Sequence, residues 1–347
     1  MEEVIKLRNV TKEFKVLNRR EGLKGSIKDL FSRDYKIVRA VNDISMDIMP
    51  GEIVGYLGPN GAGKSTTIKM MTAVLEPSSG EISCNGIIPY KKRSENAQNI
   101  GVVFGQRSQL WWALPAIESF KILKDIYQVD DKTYKDMMEL YSTMVDMDRL
   151  MHKPVRQMSL GQRTLCDILA SFVHNPRVVF LDEPTIGLDV AMKAKIRELI
   201  KILNQEKNTT IILTTHDMGD VDALCRRIVI IDKGTMLYDN DIENLTELFG
   251  DYRTIKLSLI KKDEAVTEER LKGLVDSVQE ILNAGAKDPE GITVSSNENE
   301  IEVLVDEHKN NIVKIMNLIQ EKHKIYDMHL VEISTESVIK KIYERGI

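Results

Sequence analysis

No stretch of the 347-residue chain approaches the roughly 18 apolar residues that a membrane-crossing helix requires. The start, Met1-Glu2-Glu3, is charged and precedes no apolar core of the kind a secretory signal carries. The expectation is a chain that stays in the cytosol unless a partner holds it at a membrane. Cysteine is scarce as well. Cys84, Cys166 and Cys225 stand far apart, none with a second Cys or a His at metal-ligand spacing, which argues for reduced structural thiols rather than a metal or redox centre. There is no strong excess of charge: 48 Lys and Arg face 53 Asp and Glu, for a formal net charge of −5. Residues 251–347 hold 14 basic against 19 acidic side chains, and residues 1–250 hold 34 of each, so neither part carries the basic excess of a duplex-DNA binder. No internal repeat or low-complexity tract is evident.

What is present is the composition of a soluble globular protein, 42% hydrophobic and 29% charged, in a chain long enough for two domains with separate cores. Residues 58 to 66, Gly58, Pro59, Asn60, Gly61, Ala62, Gly63, Lys64, Ser65 and Thr66, fill the phosphate-binding template of Gly, four open positions, Gly, Lys and Ser or Thr. An apolar run, Glu52 to Leu57, precedes it, and a helix-forming run, Thr66 to Met71, follows it. The glycines let the backbone turn and bring its N–H groups against phosphates at a helix N-terminus. Lys64 is expected on the β- and γ-phosphates, Ser65 on Mg²⁺, and Thr66 on a further phosphate oxygen. An ordinary glycine turn before a helix is the competing reading, and the completely filled template disfavours it.

A second chemical feature closes the apolar run Val178-Val179-Phe180-Leu181, where Asp182 and Glu183 stand side by side before Pro184. Adjacent carboxylates at the end of a buried strand are costly unless a metal or phosphate uses them. Asp182 is expected to hold Mg²⁺ through water and Glu183 to polarise the attacking water; capping of the next helix is the plainer alternative. Ile212-Leu213-Thr214-Thr215-His216-Asp217 places a histidine just beyond another apolar run, where it could touch a γ-phosphate; a lone histidine there is usually structural, so its role rests on the order of the whole set.

Residues 1–245 alternate short apolar runs with helical patterns, the mark of an α/β domain with a largely parallel sheet. Strands are expected at Val4–Val10, Ile53–Leu57, Ile100–Phe104, Val178–Leu181, Thr210–Thr214 and Ile228–Ile231. The segment 107–176 has helical character and reads as a helical subdomain inserted into the sheet domain. Residues 251–347 follow a βαββαβ pattern with a closing helix, which suggests a small α+β accessory domain of ferredoxin-like layout.

With these motifs in this order, the chain resembles the ATPase subunit of an ATP-binding-cassette (ABC) transporter across about residues 4–240. The resemblance implies four further elements. Gln106 matches the glutamine loop that senses Mg²⁺ and the membrane partner. Ser159, Leu160, Gly161 and Gln162, within Met158-Ser159-Leu160-Gly161-Gln162-Arg163, match the signature that completes the ATP site of a neighbouring cassette. Gly187, Leu188 and Asp189 match the loop that crosses the dimer interface. Phe14 stands where the family places the aromatic that stacks on adenine, with a plain core Phe as the alternative. The signature departs from Leu-Ser-Gly-Gly-Gln at Met158 and Leu160. Leucine avoids positive φ, so ordinary helix-start geometry is expected, with Ser159 as N-cap.

The resemblance implies an ATP- and Mg²⁺-dependent ATPase that works as a homodimer, or a heterodimer with a second cassette. It implies a seat on the cytoplasmic face of the membrane beneath a separate permease, with no specific nucleic acid. The segment Pro154 to Ser159, the closing Glu332 to Ser337 and the accessory domain lean toward exporters; an importer ATPase and a soluble ABC ATPase acting on ribosomes or nucleic acid are the alternatives. The cargo is not legible, because its contacts belong to the permease. An insertion, about 15–38, is rich in Lys and Arg and carries Leu23, Ile27, Leu30 and Phe31 at helical spacing. It reads either as a basic amphipathic helix facing permease and lipid headgroups or as a helix packed on the cassette with a solvated basic face. Of Trp111 and Trp112, one is expected buried and one at the groove that receives a helix of the membrane subunit.

Overall fold

The computed structural model describes residues 2–17, 35–105, 107–248, 252–261, 266–297 and 299–345. The insertion helix expected within 15–38 falls largely outside them, as does Gln106. The chain divides into two compact units, Met1–Asp241 and Ile242–Gly346.

The first unit contains β1 (Ile5–Leu17), β2 (Tyr35–Ile48), β3 (Ile53–Leu57), helix α1 (Lys64–Met71), β4 (Ser79–Cys84), α2 (Arg93–Asn99) and β5 (Ile100–Phe104). Helices α3 (Ala116–Ile126), α4 (Asp131–Met144), α5 (Met147–Met151) and α6 (Leu160–Phe172) follow, and among the described residues no strand lies between β5 and β6 (Val178–Asp182). The unit closes with α7 (Val190–Lys207), β7 (Thr210–Thr214), α8 (Met218–Leu224), β8 (Arg227–Asp232) and β9 (Thr235–Asp241).

Two sheets form in this unit. One has six strands in the order β5-β6-β7-β3-β8-β9, parallel except for β9. The other is an antiparallel trio, β2-β1-β4. The sequence reading located the parallel strands and missed the trio as a sheet, along with β4 and β9. The reason is burial: Val178 to Leu181 and every residue of β7 are buried, giving continuous apolar runs, whereas β4 and β9 are half exposed and carry little pattern. β1 also runs well past Val10, because its far half pairs with β2 through register shifts.

The parallel register carries the functional consequence. Phe104 pairs with Asp182 and Asp182 with Thr214, so β5, β6 and β7 end on one edge of the sheet. Strand β3, beside β7, delivers the loop 58–63 to that same edge. Ligand sites in open α/β sheets form there, outside the carboxyl ends of the strands.

The second unit comprises α9 (Ile242–Leu248), β10 (Tyr252–Ser258), α10 (Glu268–Gly285), β11 (Ile292–Asn297), β12 (Glu300–Asp306), α11 (Ile312–Lys322), β13 (Asp327–Glu332) and α12 (Thr335–Arg345). Its antiparallel sheet has the order β11-β12-β10-β13. That is a βαββαβ unit in which the two chain-central strands form a hairpin and the first strand lies between β12 and β13. Ile255, Leu257, Val303 and Val305 form its core with Val278, Leu282, Ile315 and Ile319 from α10 and α11.

Candidate nucleotide site

The loop between β3 and α1 is shaped by positions that tolerate no side chain. A Cβ at Gly58 would come within 2.5 Å of the Ile231 carbonyl oxygen, and one at Gly63, whose φ is +108°, within 2.4 Å of the Ala40 carbonyl oxygen. Gly63 caps α1, so the first amides of that helix have no partner within the helix and face the loop. The ammonium of Lys64 is buried and donates to the carbonyls of Gly58 at 2.5 Å and Pro59 at 3.2 Å. Burial lowers its pKa, while Glu183 and Asp182 act in the opposite direction. This cation already held by backbone carbonyls beside two carboxylates suits a polyanion that would draw it outward.

A cavity of about 430 Å³ lies here, lined by Ala40, residues 59–66, Gly105, Asp182, Glu183 and Ile186. The phosphate loop and the acid pair of the sequence reading therefore share one space. Ser65 and Asp182 offer it hard oxygen ligands, which fits Mg²⁺: that ion takes one or two protein oxygens and completes its shell with water and phosphate oxygens. Ala40 of β2 enters without any signal in the sequence.

Thr214 organises the acids. Its hydroxyl donates to Asp182 Oδ1 at 2.5 Å and accepts from the Glu183 amide at 3.2 Å, while its carbonyl accepts from that amide at 2.9 Å. Glu183 holds φ at +52°, an uncommon conformation for a side-chain-bearing residue, and the two contacts from Thr214 help fix it. His216 Nε2 lies 2.6 Å from Glu183 Oε1. The histidine and the carboxylate proposed to orient water are thus in hydrogen-bond contact at the rim of a second, adjoining hollow of about 320 Å³. Thr214 could have been suspected from its place at the end of an apolar strand. The sequence reading passed over it.

Behind this pair lies a charged lattice that sequence alone did not expose. Asp220 is fully buried, accepts from Arg197 Nε at 2.6 Å and from Thr215 at 2.9 Å, and also bonds the Thr185 hydroxyl. Asp217 receives Lys193 at 2.5 Å and Arg197 at 3.2 Å. The lattice joins α7, α8 and the start of the 185–189 loop, in which Gly187 takes φ of +73° and Asp189 caps α7 through the Met192 amide at 2.9 Å. Gly187, Leu188 and Asp189 do not line the main cavity, although Gly187 lines the adjoining hollow together with His216.

The signature is absent from both hollows among the described residues. Ser159 caps α6, its hydroxyl accepting from the Gln162 amide at 3.2 Å while Gln162 Oε1 accepts from the Ser159 amide at 3.2 Å and from Lys153 at 3.0 Å. Leu160 begins the helix in ordinary geometry and is half exposed. Gly161 is buried, and a Cβ there would come 2.5 Å from Met192 Cγ, so this glycine also permits α6 to pack on α7. Within one chain, Ser159, Leu160, Gly161 and Gln162 stand apart from Lys64.

Phe14 is half buried on β1 opposite Val38, with the Lys12 ammonium 5.4 Å from its ring, and it does not line the cavity. Gln106 lies outside the described residues, but the segment after it is anchored: the buried Asp167 of α6 accepts from the Ser108 hydroxyl at 2.9 Å and the Gln109 amide at 3.0 Å. Burial pushes the Asp167 carboxyl up to about 6. The expectation of one buried tryptophan is corrected, since Trp111 and Trp112 are 38% and 56% exposed. Their backbone is fixed by bonds to the Ser119 hydroxyl and the Arg156 amide, and Trp112 finds its cover in the Arg163 guanidinium 4.8 Å from its ring rather than in a core.

Comparison with known proteins gives the family. The ABC transporter family model matches residues 41–186. The ABC transporter ATP-binding protein NatA of Bacillus subtilis is 36% identical over 217 residues, which is 62% of this chain and 88% of NatA. The linearmycin resistance ATP-binding protein LnrL of the same organism is 33% identical over 225 residues, covering 65% of this chain and 72% of LnrL. A solved dimeric ATP-binding cassette in a post-hydrolysis state, bound to ADP and Pi, superposes with a TM-score of 0.55 at 26% identity, covering 68% of this chain and 98% of that one.

Proposed function

The chain belongs to the ABC transporter family as one of its ATP-binding ATPase subunits, and from that premise we propose how its residues divide the work. Lys64 and the amides of the 58–66 loop hold the phosphates. Ser65, Asp182 and Gln106 would hold Mg²⁺, which would supply charge neutralisation for the phosphates. Glu183 orients the attacking water and accepts its proton, and His216, now bonded to Glu183, turns to the γ-phosphate. Phe14 stacks on adenine. The observation that carries this reading is the 2.6 Å contact from His216 to Glu183, a carboxylate that lines the same cavity as Lys64 and Ser65.

Ser159, Leu160, Gly161 and Gln162 serve the ATP site of a second copy, with Gly187, Leu188 and Asp189 crossing between the two. Supporting this, the signature lies outside its own chain's cavity, and the related cassette was solved as a dimer with ADP and Pi. ATP binding closes such a dimer and hydrolysis opens it, and the motion drives a separate membrane permease. No helix among the described residues is long and apolar enough to cross a membrane. The exposed Trp111 and Trp112 beside the glutamine loop suit the permease contact. Export is the direction favoured, because LnrL is named for linearmycin resistance.

The shared site has a direct test. Lys64→Ala and Ser159→Arg are each expected to be inactive alone, and in a mixed dimer both defects fall in one site. Mixing the purified variants should restore ATP-driven dimerisation in part. No recovery, with subunit exchange verified by separate labels, would mean that the site is built within one chain.

A further inference from the structure

The two edges of the C-terminal sheet are not alike. Edge strand β11 ends in Ser295, Ser296 and Asn297, a polar strip with little to bury. Among the described residues edge strand β13 has β10 as its one strand neighbour, and across it Met328 pairs with Leu257 and Leu330 with Ile255. Leu257 and Ile255 are core residues, so Met328 and Leu330 point to the same face one strand farther out, where cover ends. Tyr326, Met328 and Leu330 are 44%, 37% and 54% exposed and form a row at alternate positions. Asp327 and His329 occupy the opposite face, their side chains also exposed, with 3.6 Å between Oδ2 and Nε2. An edge strand with no bulge, no proline and an apolar row invites another strand.

We propose that β13 of one chain pairs antiparallel with β13 of a second copy, in the register that sets Met328 opposite its own mate, joining two four-stranded sheets into one. The register follows from matching charge and apolarity. With Met328 on the two-fold axis, Tyr326 faces the mate's Leu330 and Asp327 faces the mate's His329, so apolar meets apolar and acid meets base. Centring the pair between His329 and Leu330 sets Asp327 against Glu332, two acids. Centring it on His329 sets the two histidines against each other. Centring it on Leu330 sets Met328 against Glu332. The contact needs no nucleotide, so its failure would leave the ATPase reading untouched.

Disulfide trapping of the full chain without nucleotide tests the register. Directly opposite residues in an antiparallel pair have Cα atoms about 4.5–5.5 Å apart, within disulfide reach. Cys84, Cys166 and Cys225 are buried and stay out of the reaction. Under a mild oxidant, Met328→Cys is expected to give a covalent dimer. Leu330→Cys alone is not, since its mates stand four positions apart along the strands, about 13 Å. Tyr326→Cys mixed with Leu330→Cys is expected to give the covalent heterodimer. A chain with Met328→Cys that stays monomeric, or one with Leu330→Cys that links as readily, would overturn the proposal. Sedimentation of the unaltered chain without nucleotide provides a readout free of substitutions: reversible self-association is expected, and a monomer up to roughly 100 μM would overturn it. Asp327→Lys should weaken association about tenfold, and the exchange Asp327→His with His329→Asp should restore it.

Discussion

The six-stranded sheet of the first unit and the four-stranded sheet of the second solve the same burial problem in opposite ways. In the first, β6 and β7 are buried almost throughout, and the chemistry gathers where parallel strands run out at one edge. In the second, helices α10 and α11 contribute to one core, while β13 carries an exposed apolar row. A parallel sheet aims all its strand ends, and hence their loops, in one direction; an antiparallel sheet splits them between two ends and concentrates no comparable cluster. The first unit is therefore suited to holding phosphates, and the second to offering a strand.

The largest expected effect lies wholly in the first unit. Glu183→Gln should reduce turnover by about 10²- to 10⁴-fold while MgATP still binds, because the amide keeps the shape and cannot take the proton. Steady-state hydrolysis together with nucleotide affinity gives the answer, and turnover within twofold of the parent would remove Glu183 from the role. Thermal unfolding of the second unit should not move. In the other unit, Leu257→Ala empties part of a fully buried core and should destabilise that unit by about 2–5 kcal/mol. Urea unfolding followed by probes in each unit would then show two separated transitions with ATP affinity unchanged. A single shifted transition would mean that the two cores fold as one, against the contrast drawn above.

Within the first unit, the half-buried His174 and the buried Asp167 should pull stability in opposite directions with pH. Burial pushes His174, stacked on Tyr127 at 3.8 Å, down to about 4, so its contribution is complete above its ordinary 6.5 and is lost as pH falls toward 4. Asp167 is pushed up to about 6 from its ordinary 3.8, so its contribution is present below about 4 and is lost as pH rises to about 6. Each amounts to about 3 kcal/mol at full extent. Asp167→Asn should leave the His174 slope unopposed, making stability rise more steeply between pH 4 and 6.5. Equal slopes in urea titrations of parent and variant would defeat this assignment. The smallest effect is expected from Gly161→Ala, where the new Cβ meets the flexible Met192 side chain rather than backbone: about 1–3 kcal/mol of stability, read from thermal unfolding with and without a second copy's ATP.

Much of the site could be read from the chain because it is local. The loop 58–66 sits between its own strand and helix, and Asp182 and Glu183 follow directly on β6, so spacing alone brought each motif into view. The capping box of Ser159 and Gln162 is local for the same reason. Thr214, Asp220 and Asp167 escaped notice because each has a partner 23 to 59 residues away, at Asp182, Arg197 and Ser108 respectively. The tryptophan pair was misjudged because aromatic residues suggest a core, while both Trp111 and Trp112 are exposed and Trp112 lies against Arg163.

The sequence by itself carried the phosphate-loop and acid-pair motifs, the buried parallel strands and the family resemblance, since each depends on residues a few positions apart and on backbone geometry they set themselves. Only the tertiary structure decided that β7 lies between β3 and β6, that Thr214 clamps Asp182 and Glu183, that His216 meets Glu183, and that β13 rather than β11 is the open apolar edge. Those outcomes depend on which distant strands pair and on which faces remain uncovered afterwards. Pairing partners and residual exposure are properties of the packed whole, and no short stretch of chain contains them.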